Sequence, residues 1–224
     1  AIGRRFFNQR LFLNDPDVFI LREAKNRLTQ SQKYTLFLVN LLFGDLVFTS
    51  DYIEDYDATT LHLYNSAFPF LPRKIQAVRP QDWGWEIEFE IADKQYLAYI
   101  NHTKKKKMVF LPEGRYFRSG GPFIVGKEAI QLEAWGSVCL YRIPEGDVGL
   151  AGSTLHIFPG AAIAKLTYDG QNVQLNLAPE LQNEGRIWLM APKNVDQLYV
   201  NGKAYQVDDY KGLRMAEIPL KPGT

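Results

Sequence analysis

The chain has 224 residues, 46% of them hydrophobic and 23% charged, and a formal net charge of +1. This is an ordinary composition for a globular protein of one or two domains, and it gives no electrostatic ground for a nucleic-acid or membrane-surface partner. No signal-peptide pattern occurs, nor any apolar run of the roughly 18 residues a membrane helix needs, and the lone Cys139 cannot form an intrachain disulfide, so a reduced, cytoplasmic setting is expected.

Asn14-Asp15-Pro16-Asp17 is acidic turn chemistry set against the apolar run Val18-Phe19-Ile20-Leu21-Arg22. The run reads as a short buried strand over 18–22. Residues 29–43 read as a helix. Thr29 and Gln32 have the spacing of a capping box, which satisfies orphan N–H groups at a helix start. Tyr34, Leu38, Leu41 and Leu42 recur at helical spacing, and Phe37 and Val39 extend the apolar surface to an adjoining face. Such a helix is expected to be largely buried. Gly44 is placed as its C′ stop. A second strand over 46–50 ends in Thr49-Ser50-Asp51. Strand, helix, strand is the repeat of an α/β barrel or a doubly wound sheet, and here it occurs once.

Residues 52–66 are acidic and helix-compatible, and Pro69 and Pro72 end them. From Ile75 the period changes to two. Trp85, Ile87, Phe89 and Ile91 alternate with Glu86, Glu88 and Glu90, the mark of a half-buried strand. Further strands are expected over 96–100, 108–111, 116–117 and 137–143. The Gly- and Pro-rich stretch 144–152 reads as a linker or long loop. Asp169-Gly170 and Asn201-Gly202 each join two apolar runs and predict hairpins, because these residues tolerate the positive φ of a primed turn.

Few constellations suggest chemistry. The acidic candidates are Asp15, Asp17, Asp51, Glu54, Asp55 and Asp57. In a parallel barrel the reacting groups lie at the C-terminal ends of strands, a rule that Asp51 meets. For Asp15 and Asp17 the plain alternative is a turn in which a carboxylate accepts backbone N–H groups. His62, His102 and His156 pair with no other ligand at metal spacing. Ser119-Gly120-Gly121 is a glycine turn with no following helix to bind phosphate. Cys139 lies in an apolar run and reads as a buried, inert thiol. The run Lys104-Lys105-Lys106-Lys107 reads as a solvated hairpin tip. Asn101-His102-Thr103 has the form of a glycosylation sequon. Trp83, Trp85, Trp135 and Trp188 could stack on sugars or fill a core.

Phe12-Leu13-Asn14-Asp15-Pro16-Asp17-Val18-Phe19-Ile20-Leu21-Arg22, then Leu28-Thr29-Gln30, then Leu46-Val47-Phe48-Thr49-Ser50-Asp51, together resemble the late part of the catalytic barrel of retaining α-galactosidases, glycoside hydrolase families 36 and 27. The similarity covers roughly residues 4–143. The resemblance implies that an Asn-Asp-Pro-Asp segment leads the seventh barrel strand, that a helix and a last strand follow, and that an antiparallel β-domain comes next. It also implies that Asp17 lines the floor of the galactose site with Val18 beside it, and that Asp51 lies near the barrel mouth. The family's nucleophile and acid/base fall on earlier strands, so neither is assigned to a residue here, and no metal or organic cofactor is implied.

The expected fold is therefore an α/β remnant, the last two strand–helix units of a (β/α)8 barrel over residues 1–72. An antiparallel β-domain follows over 73–143, and a further β module or a continuation of the sandwich over 144–224. The expected function is the C-terminal part of an α-galactosidase-like hydrolase. It would supply one wall of the sugar pocket, and its partner would be an α-galactoside. The alternatives are a carbohydrate-binding β-module and a purely structural domain. Barrel strands without their neighbours would leave edges and apolar faces bare, so self-association through residues 1–66 is also expected.

Overall fold

This computed structural model describes residues 2–8, 10, 11, 13–119, 123–125, 128–179, 181 and 183–221, with Arg4, Phe7 and 123–125 described by backbone alone. Thr29 caps α1 (Gln30–Phe43) as its spacing predicts. Its hydroxyl accepts the Gln32 N–H at 3.3 Å, and the Gln32 side chain accepts the Thr29 N–H at 2.8 Å. Helix α1 connects β1 (Val18–Phe19) to β2 (Phe48–Thr49). These strands pair in parallel, Val18 opposite Phe48 and Phe19 opposite Thr49. Both are shorter than expected. Pairing stops where the N–H groups of Leu21 and Arg22 turn to the Asp51 carboxylate instead. Gly44 ends α1 for a different reason from the one its position suggests. Its φ is −90°, ordinary extended backbone, but a Cβ there would lie 2.7 Å from the Asn40 carbonyl oxygen and 2.8 Å from Pro16 Cγ. Close approach requires the glycine.

The acidic stretch divides into a 3-10 turn, Ile53–Asp55, and α2 (Ala58–Asn65). The Asp57 carboxylate caps α2 by accepting the Thr60 N–H at 2.7 Å. Beyond Pro72 the chain is β. Strands β3 (Lys74–Gln81), β4 (Gly84–Ile91), β5 (Lys94–Asn101), β6 (Lys107–Phe110), β7 (Arg115–Arg118), β8 (Phe123–Val125), β9 (Ala129–Leu132) and β10 (Ser137–Arg142) come first. Six of them form an antiparallel sheet in the order 3-4-5-10-7-8, and β6 pairs with β9 apart from it. Strands β11 (Gly149–Ser153), β12 (Ile163–Tyr168), β13 (Val173–Leu177), β14 (Gly185–Met190), β15 (Gln197–Val200), β16 (Lys203–Tyr210) and β17 (Leu213–Leu220) complete the chain. They give a five-stranded sheet, 11-14-17-16-15, and the hairpin β12–β13. Both predicted hairpins form. Asn201 and Gly202 take φ of 50° and 78°, and Gly170 takes 101°. The stretch 144–152 is only partly a loop, because β11 begins at Gly149. A Cβ on Gly152 would enter the Phe117 ring at 2.3 Å, so a backbone without side chains lets β11 lie against the first sheet.

Alternation along β5 and β10 explains how the layers stack. Tyr96, Ala98, Ile100, Cys139 and Tyr141 face one cluster, which continues through Leu150, Ile187, Met215 and Ile218 of the second sheet. Leu97, Tyr99, Val138 and Leu140 face the other way, onto Val109, Ile130 and Leu132 of β6–β9. Central strands covered on both faces read as near-continuous apolar runs.

The first cluster also takes in Phe37, Leu38, Leu41 and Leu42 of α1, with Phe19 and Leu21 beside β2. The Phe37 ring lies 4.7 Å from that of Phe19. On another side the Thr35 hydroxyl is 2.9 Å from both the Trp135 carbonyl oxygen and Ser137 Oγ, at the start of β10. The apolar helix, part of the 1–66 segment expected to self-associate, is thus covered within one copy, Leu38, Leu41 and Leu42 each being at most 1% exposed. That removes the helix as a reason for self-association.

The segment after α2 is tied to the second sheet through a buried histidine. The Phe158 N–H donates to His156 Nδ1 at 3.1 Å, so Nε2 carries the proton and donates to the Pro69 carbonyl at 3.2 Å. Burial, opposed by these backbone bonds, lowers the imidazole from 6.5 to about 4. The unfolded chain therefore binds the proton first, and stability falls as pH drops from about 6.5 towards 4. A shift of that size is worth at most about 3 kcal/mol. Urea denaturation of His156→Gln across this window should show a shallower loss than the wild type, from a lower starting stability at pH 7. An unchanged slope would mean that His156 is not the titrating group.

Candidate functional site

Parallel strands gather ligands at their carboxyl ends, which here is where β1 and β2 finish. Asp51 lies there with its side chain fully buried. Its Oδ2 accepts the Leu21 N–H at 2.6 Å, the Arg22 N–H at 3.0 Å and the Tyr56 hydroxyl at 2.8 Å. Its Oδ1 pairs with the Arg22 guanidinium. Burial raises the carboxyl's pKa, but these donors outweigh it and hold the group below the usual carboxylate range. The same contact and burial raise the Tyr56 phenol. Asp51 is thus an ionised anchor that closes the end of the parallel pair, with its lone pairs engaged.

Asp17 lies elsewhere. It precedes β1, whereas Asp51 follows β2, and parallel pairing puts them at opposite ends of the two-stranded sheet. Asp17 is exposed, has a φ of 77°, and accepts the Val18 N–H at 2.8 Å, while its own N–H donates to Asp15 Oδ1 at 2.8 Å. Val18 is half-buried in β1, on the side away from Phe19. The structure therefore brings Asp51 together with Arg22 and Tyr56, and does not bring Asp17 to the same spot. Sequence reading missed Arg22 and Tyr56. Their only signals were a guanidinium ending an apolar run and a tyrosine five residues after a strand-terminal Asp.

Cys139 and His156 are structural. Burial pushes the Cys139 thiol up, which keeps it protonated and inert. His62 and His102 are exposed and His156 is the anchor described above. Among the described residues no cluster of His, Cys, Asp and Glu could hold a metal, and no helix is long and apolar enough to cross a membrane. Lys106 of the basic run pairs with Glu133 at 2.9 Å. The sequon is closed. Asn101 has no exposure, and its amide donates to the Lys105 and Glu133 carbonyls, each at 2.8 Å. Gly120 and Gly121 of the glycine turn lie outside the described residues. Trp83, Trp85 and Trp188 are half-buried against the cores, and only Trp135, at 37%, counts among the exposed large side chains. A cleft of about 860 Å³ between the end of α1 and the first half of β3 is lined by Arg5, Arg10, Arg73 and Phe70. Arg73 spends its guanidinium on the Leu42 and Gly44 carbonyls.

No family model and no curated protein matches the chain. Among solved structures, a proposed α-N-acetylgalactosaminidase of Bacillus halodurans C-125 overlaps 54% of this chain and 32% of its own, at 16% identity and a TM-score of 0.44. A family GH27 β-L-arabinopyranosidase of Geobacillus stearothermophilus, solved with arabinose, overlaps 55% and 34%, at 14% identity and a TM-score of 0.44. The chain spans about a third of the length of each. Overlaps so partial and loose carry no argument about fold or activity.

The anchor role of Asp51 has a direct consequence for stability. Asp51→Asn removes the charge that four donors converge on and should cost about 2–4 kcal/mol. Tyr56→Phe removes a single bond and should cost about 1 kcal/mol. Chemical denaturation of both variants measures this, and equal small losses would contradict the anchor.

Proposed function

We propose that this chain is the C-terminal part of a retaining α-galactosidase-like glycoside hydrolase. The observation that carries the reading is the unit β1–α1–β2. Its strands are parallel, one face is covered by α1, and the opposite face is only partly covered by the described residues. Phe19 and Leu21 turn into the core, while Leu46 and Phe48, 39% and 49% exposed, do not. Parallel strands normally have both faces covered, and an isolated pair is at best marginally stable. The partly covered pair therefore reads as the end of a larger parallel sheet, which agrees with the sequence resemblance around Asn14-Asp15-Pro16-Asp17.

Retaining hydrolysis needs two carboxyl groups about 5–5.5 Å apart across the glycosidic bond, and no metal. Neither is assigned to this chain. Its contribution is one wall of the sugar site, with the Asp51 end as the mouth; the floor role of Asp17 and Val18, at the opposite end of the strand pair, rests on the sequence resemblance alone. Helix α1 then buttresses that wall on the β-domain. A carbohydrate-binding module would present several coplanar, exposed tryptophans, whereas three of the four here are half-buried.

Two measurements test the reading. The 224-residue chain alone should not turn over an aryl α-galactoside. Clear turnover, lost in Asp17→Asn, would overturn its role as one wall. In the complete polypeptide Asp17→Asn should lower turnover with the circular dichroism unchanged, because asparagine tolerates the left-handed φ of 77°. Wild-type kinetics would leave Asp17 a turn residue.

A further inference from the structure

The Asp51 cluster holds one group whose donors are not used up. Arg22 Nη1 serves the Asp51 carboxylate, the Ser50 carbonyl oxygen at 3.2 Å and Ser50 Oγ at 3.3 Å. Among the described residues no hydrogen bond engages its Nε or Nη2. The Arg22 side chain is 30% exposed. Phe19 and Leu21 are buried in the core, and Val18, Ile20 and Arg22, each half-buried, alternate with them on the less covered side. Arg22 thus stands at the rim of the less covered face, at the carboxyl end of the parallel strands, with one edge clamped and the other free.

A guanidinium carries five N–H donors in a rigid plane. Clamping one nitrogen to a buried carboxylate fixes the direction of the rest before any ligand arrives. The free edge offers two roughly parallel donors, which match two neighbouring oxygen acceptors. We propose that Arg22 is a substrate-positioning residue that donates from Nε and Nη2 to a vicinal pair of sugar hydroxyls, and that Asp51 acts through it rather than on the sugar. This rests on the glycosidase reading above and makes it specific. The residue of the strand end that touches sugar is the arginine, and the carboxylate behind it sets its direction.

Steady-state kinetics of the complete polypeptide on p-nitrophenyl α-galactoside and its singly deoxygenated analogues test this. Bonds from a charged donor are worth enough that Arg22→Gln should lower kcat/KM about 10–100-fold, mainly through KM. Loss of a contacted hydroxyl should cost the wild type a similar factor, and cost Arg22→Gln little more, because the bond is already gone. Arg22→Lys keeps the charge but not the fork, and should stay impaired. If Arg22→Gln does not fold, Arg22→Lys, which can retain the ion pair with Asp51, carries the comparison. A wild-type KM in the variants, or deoxygenation penalties undiminished by them, overturns the assignment of Arg22 and leaves the glycosidase reading standing. Absence of turnover by the wild-type polypeptide on every aryl α-glycoside removes both.

Discussion

Helix α1 is apolar around too much of its circumference for one neighbour to cover, and the architecture follows from that. Between Ser31 and Phe43 no residue is exposed. One side meets Phe19 of the parallel pair, and another meets the start of β10. Each large apolar side chain so covered contributes roughly 1.5–3 kcal/mol. The helix therefore welds two kinds of β-structure, parallel and antiparallel, into one core. Even its polar members comply. Lys33 is 2% exposed and reaches Glu23 at 2.7 Å, and Asn40 bonds back to the Leu36 carbonyl at 2.9 Å.

Local chemistry was the legible part of the sequence. The capping box at Thr29, the primed turn at Asn201-Gly202 and the period-two run through Trp85 and Ile91 each state a backbone conformation within a few residues. Proximity was not legible. Gly44 and Gly152 looked like a helix stop and part of a linker. What they serve is the approach of Pro16 and of the Phe117 ring, contacts made across 28 and 35 residues that no local pattern encodes. The covering of α1 by the β-domain was hidden for the same reason. A helical apolar stripe shows that burial is needed, not which element supplies it.

The candidate site divides in the same way. Asp51 stood out because a carboxylate closing an apolar strand is conspicuous. Its work is to collect N–H groups that have left the ladder, and that depends on β1 ending beside it. Arg22 and Tyr56 acquire meaning only through that junction. Asp17 was conspicuous too, within a turn-forming tetrapeptide, and parallel pairing puts it at the far end from Asp51.

Asn101 bears on the history of the chain as well as on its packing. Its side chain closes the loop to β6, taking two carbonyls as acceptors while its own oxygen receives the Thr103 N–H at 2.9 Å. An oligosaccharide on that nitrogen would occupy the volume of the loop. Sugar attachment and the native turn are mutually exclusive, so any machinery that reads Asn101-His102-Thr103 would have to act before the surrounding strands come together. Folding speed, more than the presence of the tripeptide, would then decide the fate of each molecule.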